Sequence, residues 1–156
     1  MEATAFLADS VAAESGKIYA QGAGWSVLNT AAFPMTHDRI GIAIIVSVPY
    51  TATNQQHTLK LRFEDADGNG LPIGSVPPNE ENDDGIVREI EAGFNVGRPP
   101  QLPPGAEQTV PFAININSVS FDSPGRYQFV VSIDGSDVAT LPFTVVGQST
   151  MGLVVR

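Results

Sequence analysis

The chain has 156 residues, with 17 acidic and 8 basic side chains and a net charge of −9. That balance argues against a nucleic-acid partner or an anionic membrane surface, because phosphate contacts need Lys and Arg. Cysteine is absent, which excludes disulfides, thiolate chemistry and Cys-based zinc sites.

The length fits one domain over residues 1–156. The 15 glycines and 12 prolines point to many turns and few helices. Acidic Glu2 follows Met1 and Asp9 interrupts the first apolar run, so no signal peptide is expected. Runs such as Ile42–Val46 are far too short for a membrane helix. The expected location is the cytoplasm, or a virion if a phage encodes the chain.

Ala3–Ala8 reads as a first strand and Val11–Ser15 as a link. Lys17–Leu28 reads as one strand interrupted by Gly22 and Gly24, since glycine inside a strand marks a bulge or close backbone approach. Thr30–Asp38, with Pro34, reads as a loop. Ile40–Val48 is the most apolar strand, with Pro49 ending it. In His57–Glu64, Leu59, Leu61 and Phe63 alternate with Thr58, Lys60, Arg62 and Glu64, which is a half-exposed strand. Residues 65–85 read as a polar, acidic insertion. Ile86–Val96 resumes as a strand, Gly97–Gly105 is a Pro-rich link, and Thr109–Ile116 is a further strand.

Pro124–Val146 is the anchor of the chain. Tyr127, Phe129, Val131 and Ile133 alternate with more polar residues, as do Ala139, Leu141, Phe143 and Val145 after an Asp134–Asp137 turn. Each run offers one apolar face, which makes a β-hairpin. A lone hairpin is marginal in water, so other strands must cover it. The expected fold is a single all-β sandwich, immunoglobulin-like or jelly-roll, of about 7–9 strands.

Few motifs carry chemistry. Asp65, Asp67 and Asn69 match the start of a calcium loop, with Gly70 at its sharp turn. The twelfth position, Val76, lacks the required carboxylate, and the flanks read as strands. Calcium is therefore kept only as an alternative to a plain turn, and no cofactor is expected. The acids of Glu64–Glu91, including Glu80, Glu81, Asp83 and Asp84, read as a solvated face rather than a catalytic pair.

His37 and His57 are too few for a Cys-free metal site. Gly24-Trp25-Ser26-Val27-Leu28 lacks the closing glycine of a nucleophile elbow. Arg98-Pro99-Pro100-Gln101-Leu102-Pro103-Pro104 misses polyproline-ligand spacing and reads as a rigid crossover. Trp25, beside flexible backbone, is a candidate binding residue: a sugar platform or protein contact if exposed, a core residue if buried. The apolar tail, residues 148–156, with Met151, Leu153, Val154 and Val155, needs cover, either on its own sheet or on a neighbour's.

The segments ATAFLADSV, GKIYAQGAGWSV, VGRPPQLPPG and PGRYQFVVSIDG, followed by LPFTV, resemble a family of small uncharacterised proteins of actinobacteria, with actinophages as a second source. The resemblance runs from Ala3 to Val145 and implies no activity, cofactor or partner. PGRYQF before a final strand also resembles the end of an immunoglobulin-like sandwich. The expected function is a non-enzymatic protein-interaction or structural module, such as an accessory subunit of a larger assembly, a phage capsid included. The partner would be another protein or a second copy. The alternative is a ligand-binding module, carbohydrate-binding or calcium-assisted.

Overall fold

A computed structural model describes residues 1–148. They form thirteen strands and no α-helix. In order the strands are β1 (Glu2–Ala8), β2 (Ser10–Glu14), β3 (Lys17–Gln21), β4 (Val27–Thr30), β5 (Met35–Val48), β6 (Gln56–Asp65) and β7 (Gly70–Leu71). There follow β8 (Gly74–Ser75), β9 (Ile86–Val87), β10 (Glu89–Asn95), β11 (Gln108–Phe121), β12 (Gly125–Ile133) and β13 (Ser136–Gly147). A single 3-10 turn, Tyr50–Ala52, joins β5 to β6.

Two sheets carry the core. One is three-stranded, ordered β1-β5-β11. The other is ordered β10-β6-β12-β13-β4, with β7 on β6. β13 and β4 pair in parallel; the other pairings are antiparallel. The inward face of β5 supplies Ile42, Ile44 and Val46, fully buried. Opposite them, β6 supplies Leu59, Leu61 and Phe63, and β12 supplies Phe129 and Val131. Fully burying one such side chain is worth roughly 1.5–3 kcal/mol, so this face drives the fold. Phe63 sits at the centre of an aromatic cluster, stacked on Phe129 at 4.9 Å and edge-on to Phe121 at 5.9 Å.

β5 is apolar on both faces, and the structure shows why. Its outward Ala43 packs with Ala8 and Val11, beside Phe6, Ile18 and Ala113. The β2–β3 hairpin folds across that face. At Gly41 a Cβ would stand 3.1 Å from the Ser10 backbone, so only glycine lets the hairpin lie this close. Asn115 on β11 then clamps the hairpin. Its Oδ1 accepts from Val11 N at 3.0 Å and its Nδ2 donates to Val11 O at 2.8 Å.

The β12–β13 hairpin is present with its buried faces, Tyr127, Phe129, Val131 and Ile133 against Leu141, Phe143 and Val145. Its turn is shorter than expected. Ile133 pairs with Ser136, leaving Asp134-Gly135 as a two-residue loop with both residues at positive φ. A bulge beside Val131 absorbs the shift. Tyr127 Oη donates to Ser123 O at 2.7 Å, the arrangement of a tyrosine corner.

The expectation of one all-β architecture holds, and the strand count of 7–9 rises to thirteen among the described residues. The residues called a link at Val11–Ser15 belong mostly to β2. Lys17–Leu28 is two strands, because Gly22 and Gly24, both at positive φ, break the ladder. The loop assigned to Thr30–Asp38 ends early, since β5 begins at Met35 and pairs there with Phe121. The insertion contains β7 and β8. The apolar tail, with Met151, Leu153, Val154 and Val155, lies outside the described residues.

Candidate functional site

Trp25 precedes β4 and packs on the core. Its ring meets Phe143 edge-on at 5.8 Å and lies 6.4 Å from the His37 ring. It is half-buried, and its Nε1 is inside with no acceptor among the described residues. One part of the ring packs inward on the core while the rest stays open to solvent.

Asp65, Asp67 and Asn69 fall in the tight turn between β6 and β7. Asp65 Oδ1 accepts from the backbone N of Asp67 and of Asn69, each at 2.9 Å, and Oδ2 accepts from Asn69 Nδ2 at 3.1 Å. The Asn69 amide holds the Asp65 carboxyl below its ordinary range. The carboxylate is thus occupied by its own loop, the pattern of an Asx turn. Among the described residues no three His, Asp or Glu side chains come together as a metal set.

The two histidines are separate, and only His57 is built into a network. It is buried. Nδ1 lies 2.7 Å from Asp134 Oδ2 and Nε2 lies 2.6 Å from Ala52 O. Asp134 also accepts from Thr58 N at 2.9 Å. Both ring nitrogens face acceptors, so the fitting species is the imidazolium. The Ala52 carbonyl and then the Asp134 carboxylate raise the His57 pKa, and the imidazole in turn lowers that of Asp134. With neither nitrogen free for a substrate, this pair has no general base to offer.

The Ala52 turn leads to a second feature. Tyr50 O accepts from Thr53 Oγ1 and from Arg98 Nη2, while Arg98 Nε donates to Thr53 Oγ1. The Arg98 guanidinium lies 4.0 Å from the Tyr50 ring centre. Tyr50 and Arg98, with Leu102, Pro103 and Gln108, line a cleft of about 260 Å³ at this end of the sandwich. Tyr50 is 37% exposed and Leu102 41%. The crossover read as a rigid Pro-rich link is one wall of that cleft.

A larger slot, about 600 Å³, runs along the open edge of β11. One wall is Asn115–Ser118, consecutive residues. Alternate side chains of a strand point to opposite faces, so a cavity touching consecutive residues follows the strand's edge. The other wall is the β8–β9 ribbon, with Gly74, Ser75 and Val87, and Ile90 lies beside it. Among the described residues none that lines the slot is charged. Among the described residues β11 pairs only with β5, and none of its fourteen residues carries a charge. By contrast the other open edge on this side, β10, carries Glu89 and Glu91, both bonded to Lys60.

Sequence reasoning missed the slot, the cleft and the His57–Asp134 pair. A signal for His57 was available: it shares the parity of Leu59, Leu61 and Phe63 and so lies on the buried face of β6.

Fold and sites together define an all-β sandwich with an open, uncharged sheet edge. The chain belongs to DUF6941, a family of unknown function, whose family model matches residues 3–146. No curated protein matches it. Among solved structures it is similar to the Pseudomonas fluorescens alkylpurine DNA glycosylase AlkC bound to DNA containing an abasic site analog. The identity is 15% and the TM-score 0.39, over 78% of this chain and 27% of that one. Among the described residues no helix is long and apolar enough to cross a membrane.

Proposed function

We propose that the protein is a non-enzymatic interaction module that joins a larger assembly by strand addition along β11. The observation that carries this is the fourteen-residue edge without a charge, bordered by the slot. Soluble proteins ordinarily blunt such edges with Lys, Glu or a covering element. Here Pro111 and the left-handed Ser118 interrupt the edge, yet Asn115–Ser118 still opens onto the slot. A partner strand seated there would bond to β11 at Asn115–Ser118 and displace the nearby β8 ribbon outward. The uncharged lining suits an uncharged strand, since a buried charge there would find no counterpart.

Gly74 gives the test. A Cβ there meets nothing within 4 Å, and its φ lies outside the left-handed range, so Gly74→Phe fills the slot without straining the backbone. The peptide acetyl-Thr-Val-Asn-Val-Thr-Val-amide is titrated while exchange of the β11 amides is followed. Slowed exchange over Asn115–Ser118 in the parent, and at least tenfold weaker binding in Gly74→Phe, is the expected result. Unchanged exchange at saturating peptide would end the strand-addition reading.

A further inference from the structure

The Arg98 cleft is independent of the β11 slot and lies at the end of the sandwich where β5 passes into β6. We infer that it is a recognition site for an acidic side chain carried on an apolar, proline-containing peptide of a partner protein.

Three observations converge on that chemistry. The first is charge. The chain has about two acids for every base, and Lys60, Arg62 and Arg88 are each within ion-pair distance of a carboxylate. Arg98 is not. Among the described residues no Asp or Glu pairs with it, although it lines a cleft.

The second is rigidity. Nε is held by the Thr53 hydroxyl, Nη2 by the Tyr50 carbonyl at 3.3 Å, and the guanidinium lies over the Tyr50 ring at 4.0 Å. Thr53 is itself buried and fixed, its Oγ1 donating to Tyr50 O at 2.6 Å. An arginine normally loses substantial rotamer freedom when it binds. This one has already lost it, and its Nη1 has no protein acceptor among the described residues. A guanidinium fixed in advance, with donors to spare, suits a carboxylate.

The third is the surrounding wall. Pro99, Pro103, Leu102 and the edge of Tyr50 are apolar, and the Gln108 amide is engaged, donating to Gly97 O at 2.8 Å. A free inorganic anion would gain nothing from these walls. A carboxylate on an apolar extended segment would use both parts of the cleft. Proline-bearing segments fit aromatic and proline surfaces at low entropic cost, because their conformation is already set.

A purely structural role for Arg98, tying the Pro-rich crossover to the Tyr50–Ala52 turn, predicts no ligand at all. The two roles separate in one experiment on the intact chain. The probes are acetyl-Pro-Leu-Glu-Pro-Leu-amide, its Gln counterpart, and sodium butyrate, each titrated with the Arg98 Nε–H and the Tyr50 ring followed by NMR. The expected result is that the Glu peptide shifts both signals and binds at least tenfold more tightly than the Gln peptide. That difference should shrink as salt is raised. In Arg98→Gln the two peptides should bind alike. The comparison of Glu with Gln is made in the unaltered protein, so an unstable variant does not remove the test. Equal binding of the two peptides, no binding at millimolar concentration, or butyrate binding as tightly as the Glu peptide would each overturn the inference.

Discussion

His57 and Asp134 are 77 residues apart in sequence, and their side chains meet at 2.7 Å. The β6–β12 register brings them together: Ile133 pairs with Leu59, so the β12–β13 turn lies over the start of β6. The pair closes that end of the sandwich, and the second nitrogen of His57 anchors the Ala52 turn. The ring also packs on Phe94, with centroids 5.4 Å apart.

Stability should therefore depend on pH in two steps. The His57 pKa is raised in the fold above its ordinary 6.5. Its contribution is complete below 6.5 and is lost as pH rises through the raised folded value. The Asp134 pKa is lowered from 3.8. Its contribution is complete above 3.8 and is lost as pH falls through the lowered folded value. The N-terminal amine opposes the imidazolium and supports the carboxylate. The melting temperature from this pair should be highest between about pH 4 and 6.5 and should fall on the alkaline side. His57→Phe should remove the alkaline step and cost about 1–3 kcal/mol, because Ala52 O is left without a donor. Urea melts across the pH range test both. An unchanged alkaline limb in the variant would assign that step elsewhere.

Trp25 should tolerate loss of its nitrogen better than loss of its ring. The indole N–H is buried without an acceptor among the described residues, so Trp25→Phe removes an unsatisfied donor and should be neutral or slightly stabilising. Trp25→Ala removes the contact with Phe143 and should cost about 2 kcal/mol, below the range for a fully buried aromatic. Paired melts of the two variants decide it. A Phe variant as unstable as the Ala variant would mean that the nitrogen has a partner.

The Asp65 turn should respond to its own amides and not to calcium. Asp65→Ala should lower the melting temperature, since Asp67 N and Asn69 N lose their acceptor. Millimolar calcium should leave the melting temperature of the parent unchanged. A rise with calcium that Asp65→Ala abolishes would restore the metal-loop alternative.

The strongly patterned elements were legible because burial on one face imposes a period of two. This holds for β6, with Leu59, Leu61 and Phe63 inward, and for the β12–β13 hairpin. Where both faces are polar or both are covered, the period vanishes. β2 has one buried residue, Val11, and so looked like a link. The start of β5, Met35–Arg39, is polar and follows a proline, and its strand character comes from pairing with β11, about eighty residues away. The sites were harder still. The slot exists because of what fails to cover β11, and the cleft because Tyr50, Thr53 and Arg98 meet only after β6 and β10 have paired. Neither relation has a local signature. Trp25, by contrast, was singled out for its glycine neighbours, which reflect backbone turns around a packed ring.

The hairpin clamp gives the last prediction. Asn115 is the hydrogen-bonding partner that β2 lacks on one side: its amide group copies a strand's N–H and C=O toward Val11. Asn115→Leu would leave Val11 N and Val11 O facing an apolar side chain, and Val11 is buried. The expected cost is about 1–3 kcal/mol. The change should be local, because β2 and β3 pair with each other over Ser10–Glu14 and can lift as a unit. Gly41→Ala presses on the same place from below, with its Cβ 3.1 Å from the Ser10 backbone. It should raise the hairpin and stretch the bond from Val11 N to Asn115 Oδ1, since the new Cβ also stands 3.1 Å from Val11 N. Native-state hydrogen exchange tests both variants. Both should speed exchange at Val11 and along β2, while the amides of β6 and β12 keep the protection of the global fold. If either variant instead accelerates β6 and β12 equally, the hairpin is part of the cooperative core and does not open on its own.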